Sequence, residues 1–191
     1  MDRHPDDSGP CGLVLEPEVI TQAQEAELLE RFETLRWDPI VIRGQAARRT
    51  ARHFGLRYDY GSREASPGEP IPEWLEPARQ AAARLAGISA DELVEALVQN
   101  YPPGSTIGWH RDSPAFGIVI GISLLGHVRL RFQRGRREQR RTWEVRLEPR
   151  SGYVLAGEAR WSWEHSIPPA KELRYSITFR TLKRGPSSSG A

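Results

Sequence analysis

Ile20, Ala23, Leu28, Leu29 and Phe32 recur at the spacing of one helix face, and Thr21 with Gln24 makes a capping-box pattern at their start. A first helix is predicted there. Trp37 to Ile42 reads as a strand ended by Gly44, followed by a turn-rich stretch from Gly55 to Pro72. Pro72-Glu73 opens a second helix that runs to about Leu85 and stops at Gly87. Ser89 is then expected to cap a shorter helix with Leu93, Val94 and Leu97 as its apolar stripe.

After Val98 the pattern changes to short apolar runs separated by Gly and Pro. They are Phe116 to Leu125, Val128 to Phe132, Trp143 to Leu147, Tyr153 to Leu155 and Tyr175 to Phe179. Strands at that spacing predict a sandwich or barrel. Helices first and strands afterwards make the expected class α+β, with the N-terminal helices packed on one sheet of a double-sheet roll. A length of 191 residues suits one domain.

Composition narrows the setting. Cys11 is the only cysteine, which excludes an internal disulfide and a cysteine-rich zinc site and suits a reducing, cytoplasmic environment. No apolar run reaches the length of a membrane span. Met1 to Pro10 is polar and carries acids, unlike a secretory or transit peptide.

The net charge is only +2, yet it is unevenly spread. All basic residues but Lys171 and Lys183 are arginines, and nine of them lie between Arg129 and Arg150 against Glu138, Glu144 and Glu148. Arginine's planar fork suits phosphate oxygens. Two readings of this run stand: a nucleic-acid surface, or a solvated hairpin face in an arginine-biased chain.

The candidate chemistry lies in Trp109-His110-Arg111-Asp112. His110 and Asp112 are two residues apart, so on an extended strand both side chains leave one face. His165 follows in a later strand segment, and Arg174 and Arg180 come after it. Two imidazoles and a carboxylate form the facial triad of non-haem Fe(II) oxygenases, which leaves half of an octahedron open. An arginine nearby would hold an anionic co-substrate. His4, His53 and His127 have no such companions and read as ordinary histidines.

These residues resemble a family. Gln99-Asn100-Tyr101-Pro102-Pro103-Gly104, Trp109 to Asp112, Gly157-Glu158-Ala159-Arg160, Glu164-His165-Ser166-Ile167 and Arg174 to Arg180 are similar, in order and spacing, to the AlkB-like 2-oxoglutarate/Fe(II) dioxygenases. Gly44-Gln45, Arg48-Arg49, Phe54-Gly55 and Tyr58-Asp59-Tyr60 resemble that family's substrate lid. The resemblance implies a double-stranded β-helix (jelly-roll) core over 98–184. Helices and lid would occupy 13–97, with a polar leader at 1–12 and a disordered Gly/Ser tail at 185–191.

By position, the resemblance makes His110, Asp112 and His165 the iron ligands and catalytic centre. Tyr101, Arg174 and Arg180 become contacts of 2-oxoglutarate, with Ser176 a further polar contact. Gln99 stands where the family commonly has Asn, with Asn100 beside Tyr101, and both are expected among the contacts of 2-oxoglutarate. Arg174 and Arg180 are separated by roughly 20 Å of extended chain. One is therefore expected on the distal carboxylate, and the other near the metal-side carboxylate or Asp112.

The implied reaction consumes Fe(II)-bound 2-oxoglutarate and O2, yields succinate and carbon dioxide, and oxidises a substrate C–H bond. An N-methyl carbon would leave as formaldehyde. Arg48, Arg49, Tyr58, Tyr60 and Trp163 are candidates to hold nucleic acid and stack a flipped base. Alkylated nucleic acid, a protein or a modified tRNA nucleoside is the expected substrate. A non-catalytic nucleic-acid-binding module on the same fold is the competing class.

Overall fold

The computed structural model describes residues 9–42, 44–58 and 65–183. Helix α1 (Gln22–Glu33) starts as its sequence dictates. Thr21 Oγ1 accepts from Gln24 N at 3.2 Å, and Gln24 Oε1 accepts from Thr21 N at 2.9 Å. Both groups would otherwise leave amide donors of the first turn unpaired. The second helix opens with a 3-10 turn, Glu73–Leu75, before α2 (Glu76–Ala86). Gly87 ends α2 in the left-handed conformation, its amide bonding back to Ala83 and Arg84.

Ser89 does cap a turn with Glu92, but the turn is only the 3-10 segment Ala90–Glu92. Leu93, Val94 and Leu97 belong instead to a strand, Leu93–Tyr101, which corrects the expected third helix. Its residues are buried almost throughout, so the alternation that marks a half-exposed strand is missing. The first half holds more strand than expected, although the one at Asp38–Ile42 falls where a strand was expected. Strands Leu13–Glu16 (β1) and Asp38–Ile42 (β2) are followed by Gln45–Tyr58 (β3) and Ala65–Pro67 (β4). The long β3 runs past Gly55, where turns were expected.

The strand from Leu93 to Tyr101 is β5. It is followed by β6 (Ile107–His110), β7 (Phe116–Leu124), β8 (Val128–Arg134) and β9 (Arg141–Leu147). Then come β10 (Gly152–Leu155), the short helix α3 (Gly157–Trp161), β11 (Glu164–Ile167) and β12 (Arg174–Leu182). All pair antiparallel in two sheets. The large sheet runs β1-β10-β7-β12-β5-β3-β2 with β4 on β3, and the small one runs β6-β11-β8-β9. From β5 to β12 the chain crosses repeatedly between sheets, which is a jelly roll.

Two cores result. Leu28 and Phe32 of α1 and Ala78, Ala81 and Ala82 of α2 pack with Ile120, Ile122, Ile177 and Phe179 of the large sheet. Between the sheets lie Val119, Leu130, Phe132, Leu147, Leu155 and Ile167. Burying apolar area at about 25 cal/mol per Å² on both faces of the large sheet is the main stabilising term. Gly55 shows one close constraint. Its φ is +80°, and a Cβ there would lie 2.2 Å from the Val94 carbonyl oxygen, so β3 can hug β5 only with glycine at this position. The leader before Gly9 and the tail after Lys183 lie outside the described residues.

Candidate metal centre and co-substrate pocket

β6 and β11 are neighbours, and their pairing sets His110 directly opposite His165. The ring centroids are 4.3 Å apart. Asp112 lies just past the end of β6 rather than on the strand, so the same-face rule places it only approximately. It still converges: one potential ligand atom from each of His110, Asp112 and His165 lies within 4.8 Å of the other two.

The protonation states suit a cation. Burial holds the His165 pKa down to about 4 against the partial pull of Asp112, so the imidazole is neutral at ordinary pH and has a lone pair to give. Burial alone would raise the pKa of Asp112. The guanidinium of Arg180, together with His165 and His110, outweighs it and holds the carboxyl well below the usual range. His110 Nδ1 lies 3.0 Å from the Gly108 carbonyl oxygen. With the proton on that nitrogen, Nε2 is left as the ligating atom.

Asp112 Oδ1 is taken by Arg180, but Oδ2 is buried with no hydrogen-bond partner. Its nearest ionic neighbour is His165 Nε2 at 3.5 Å. A buried carboxylate oxygen left without a hydrogen bond beside a neutral imidazole is unfavourable unless a cation joins them. The donor set therefore fits Fe(II), a metal content with nitrogen and oxygen ligands.

A second orphan lies in the same cavity. Arg174 is only 1% exposed, and its Nε donates to Ser123 Oγ at 3.0 Å. The guanidinium stacks 4.7 Å from the centre of the Tyr101 ring, and its Nη1 is buried without a partner. A buried cation with a free donor fits an anionic carboxylate. The Tyr101 hydroxyl donates to Gln99 Oε1 at 2.8 Å.

Gln99, Tyr101, Arg174, Ser176 and Arg180 line one cavity with the triad, as expected from the sequence. Asn100 does not line it: strand alternation turns it to the opposite face of β5 from Gln99 and Tyr101. Its expected contact with the co-substrate is therefore corrected. Arg180 is the arginine on Asp112, whereas Arg174 keeps its Nη1 without a hydrogen-bond partner.

The proposed substrate contacts scatter. Arg48 is exposed on β3, and its side chain lies about 3.7 Å from where a Cβ on Gly104 would be, just beyond β5. Arg49 is half-buried with Nε unpaired. Tyr58 closes β3, whereas Tyr60 lies outside the described residues. Trp163 is corrected: it is a core residue between the sheets, and it lines a separate cleft with Trp143 and Arg141 that shares no residue with the triad cavity.

Residues missed by the sequence reading complete the site. Tyr153 and Thr178 line the cavity, Ser123 orients Arg174, and Glu95 accepts from Arg180 Nη1 at 2.7 Å. Glu95 alone carried a signal, as a single acid inside the apolar run Leu93 to Val98.

A jelly roll that aims a His-Asp-His triad and a buried arginine into one cavity is the architecture of a non-haem iron oxygenase. The family model described as the 2OG-Fe(II) oxygenase superfamily matches residues 12–180, and the chain belongs to that family. It is AlkB-like, a 2-oxoglutarate/Fe(II) dioxygenase whose cofactors are Fe(II), 2-oxoglutarate and O2.

The chain is 27% identical over 217 aligned positions to the "Alkylated DNA repair protein ALKBH8 homolog" of Arabidopsis thaliana, covering 93% of this chain and 60% of that protein. It is 28% identical to the "tRNA (carboxymethyluridine(34)-5-O)-methyltransferase ALKBH8" of Mus musculus, over 85% of this chain but only 25% of that protein. The chain thus spans 60% of the first of these curated relatives and a quarter of the second. The structure of OsALKBH1 shares the fold at a TM-score of 0.67 with 17% identity, over 90% of this chain and 97% of that one.

Proposed function

We propose that this dioxygenase oxidises a C–H bond on a modified base of nucleic acid, with N-methyl groups as the first substrate class. The observation that carries the reading is the pairing, in one cavity, of a cation-ready triad with the unpaired guanidinium nitrogen of Arg174. His110, Asp112 and His165 would hold Fe(II), and Arg174, Tyr101 and Gln99 would receive 2-oxoglutarate. When bound, the metal and co-substrate supply an oxidant for C–H bonds at the cost of 2-oxoglutarate and O2.

The chain's own residues do the rest. Arg174 fixes the co-substrate by charge and by its fork, and the Tyr101 ring and Ser123 stop that fork from turning. Arg180 keeps Asp112 ionised and oriented. Ile107, Val119, Leu130 and Ile167 line the cavity with apolar surface that excludes water. Arg48, beside the turn at Gly104, would take a phosphate of a strand presenting its base.

Support for a nucleic-acid substrate comes from the names of the relatives, one for alkylated DNA repair and one for a tRNA nucleoside. The second name favours a further reading, in which a modified tRNA nucleoside is hydroxylated to a stable alcohol. Hydroxylation of an N-methyl carbon instead gives a hemiaminal that loses formaldehyde.

Anaerobically Fe(II)-loaded protein given 2-oxoglutarate, O2, methylated single- and double-stranded oligonucleotides and tRNA decides between them. Succinate with matching formaldehyde supports demethylation. Succinate with a mass gain of one oxygen on tRNA supports the second reading. Succinate that no nucleic acid stimulates above the uncoupled rate removes both, and His110→Ala should abolish whatever turnover is seen.

A further inference from the structure

The small sheet has one face in the core and one face in solvent. Along β8 the odd positions Arg129, Arg131 and Gln133 point outwards while Val128, Leu130 and Phe132 point in. The outer face carries Trp109 on the edge strand β6 and Arg131 on β8. It also carries Arg129, paired directly across from Arg146 of β9.

Trp109 is 39% exposed, an unusual place for the largest aromatic side chain. The Arg131 guanidinium lies 5.1 Å from its ring centre and is steadied by a 3.2 Å bond from Nε to Ser166 Oγ. Like charges facing each other across two strands are destabilising, yet Arg129–Arg146 is such a pair on this face. Glu144 and Glu148 reach Arg129 and Arg146, but those arginines remain 57% and 58% exposed. Exposed pairs of this kind contribute little, so a phosphate can displace them at little cost.

We infer that this outer face is a track for single-stranded nucleic acid: Trp109 stacks an unpaired base, and Arg129, Arg131 and Arg146 hold the phosphates that follow. Eight arginines against two glutamates between Val128 and Leu147, in a chain of net charge +2, concentrate basic charge on this hairpin. A base can stack on a side chain only when it is out of a duplex, which selects single strands. The track also has a direction. Trp109 and His110 are consecutive on β6, one facing out and the other into the cavity, so a strand over Trp109 lies at the rim of the metal site. From β6 to β9 the face spans about 14 Å, room for a few nucleotides.

The inference rests on the reading of nucleic acid as substrate, but binding without turnover tests it separately. The probe is a labelled, unmodified single-stranded oligonucleotide, as RNA and as DNA. It is titrated by fluorescence anisotropy against Fe(II)- and 2-oxoglutarate-loaded protein, without O2, over a series of salt concentrations. For single strands the log–log salt slope changes by about 0.7 per phosphate contact, so Arg129→Gln with Arg146→Gln should lower it by about 1.4.

Trp109→Ala should weaken binding about tenfold at constant slope, and Trp109→Phe should restore most of it. Arg31→Gln with Arg84→Gln removes the same charge from the exposed surfaces of α1 and α2 and should leave the slope unchanged. An unchanged slope in the β8–β9 variant, or an equal loss in the helix control, overturns the track while leaving nucleic acid as substrate. Absence of binding to RNA and DNA by the unaltered protein overturns the track as well. Continued nucleic-acid-stimulated succinate formation would then show that the substrate reading survives without it.

Discussion

Arg180 donates to Asp112 Oδ1 twice, from Nε at 3.2 Å and from Nη2 at 2.7 Å, while its Nη1 donates to Glu95 Oε2 at 2.7 Å. The arginine is thus a clamp between β5 and the segment that follows β6. Replacing it with Met strands two buried carboxylates, which should destabilise the metal-free protein by about 3–5 kcal/mol in urea unfolding. Lysine keeps the charge without the fork and should fall between the two. Equal stability of Arg180→Met and the unaltered protein would remove the clamp.

Arg174 differs in that its buried Nη1 has no hydrogen-bond partner, and the proposed function gives that nitrogen to the co-substrate. Arg174→Met should raise the 2-oxoglutarate concentration needed for half-maximal succinate formation by about thirtyfold or more, in line with truncating a buried charge pair. The maximal rate at saturating 2-oxoglutarate should fall much less. A large loss of maximal rate with an unchanged requirement would place the arginine elsewhere in the reaction.

Tyr153 gives an alkaline signature. Its ring lies across Gly121, where a Cβ would come within 2.3 Å of it. Burial, reinforced by the charge of Asp112, raises its pKa well above the ordinary tyrosine range. The unfolded chain ionises this phenol near pH ~10, and the folded one does not. The stability it contributes is therefore complete below that pH and lost as pH rises beyond it. Urea midpoints measured through that range should fall less steeply for Tyr153→Phe, and parallel curves would contradict the assignment.

Arg160 is a positioning residue for the segment carrying Asp112. It is buried, and its guanidinium donates to the carbonyl oxygens of Ser113 (2.6 Å), Phe116 (2.9 Å) and Gly117 (2.9 Å). Arg160→Met leaves buried carbonyls unpaired and should cost about 3 kcal/mol. Beyond that structural loss, Fe(II) affinity should fall while the 2-oxoglutarate requirement at saturating iron stays nearly constant. Arg160→Lys should recover part of the affinity. An Fe(II) titration that shows no change in a folded variant would reduce Arg160 to a core residue.

Much of the site could be read along the chain because the chemistry demands particular residue types. A triad needs two imidazoles and a carboxylate, and His110, Asp112 and His165 supply them in the order and spacing of the family. Strands with one wet face, such as β8, also announce themselves by alternation. β5 did not, because helices cover one of its faces and the cavity and small sheet cover the other. Leu93, Val94 and Leu97 fit a helix stripe as well as a buried strand, and only the sheet pairings separate the two.

Residue types and spacing along the chain determined the α1 cap, the strand-rich second half, the triad and the two arginines. Tertiary structure decided which arginine meets Asp112, since β12 carries both and only its pairings set Arg174 against Tyr101 and Arg180 against Glu95. It also turned Asn100 away from the cavity, placed Trp163 in the core and brought Ser123, Glu95 and Tyr153 to the site. Those assignments depend on register between strands distant in sequence, and register follows from the summed burial of both sheet faces rather than from any local pattern.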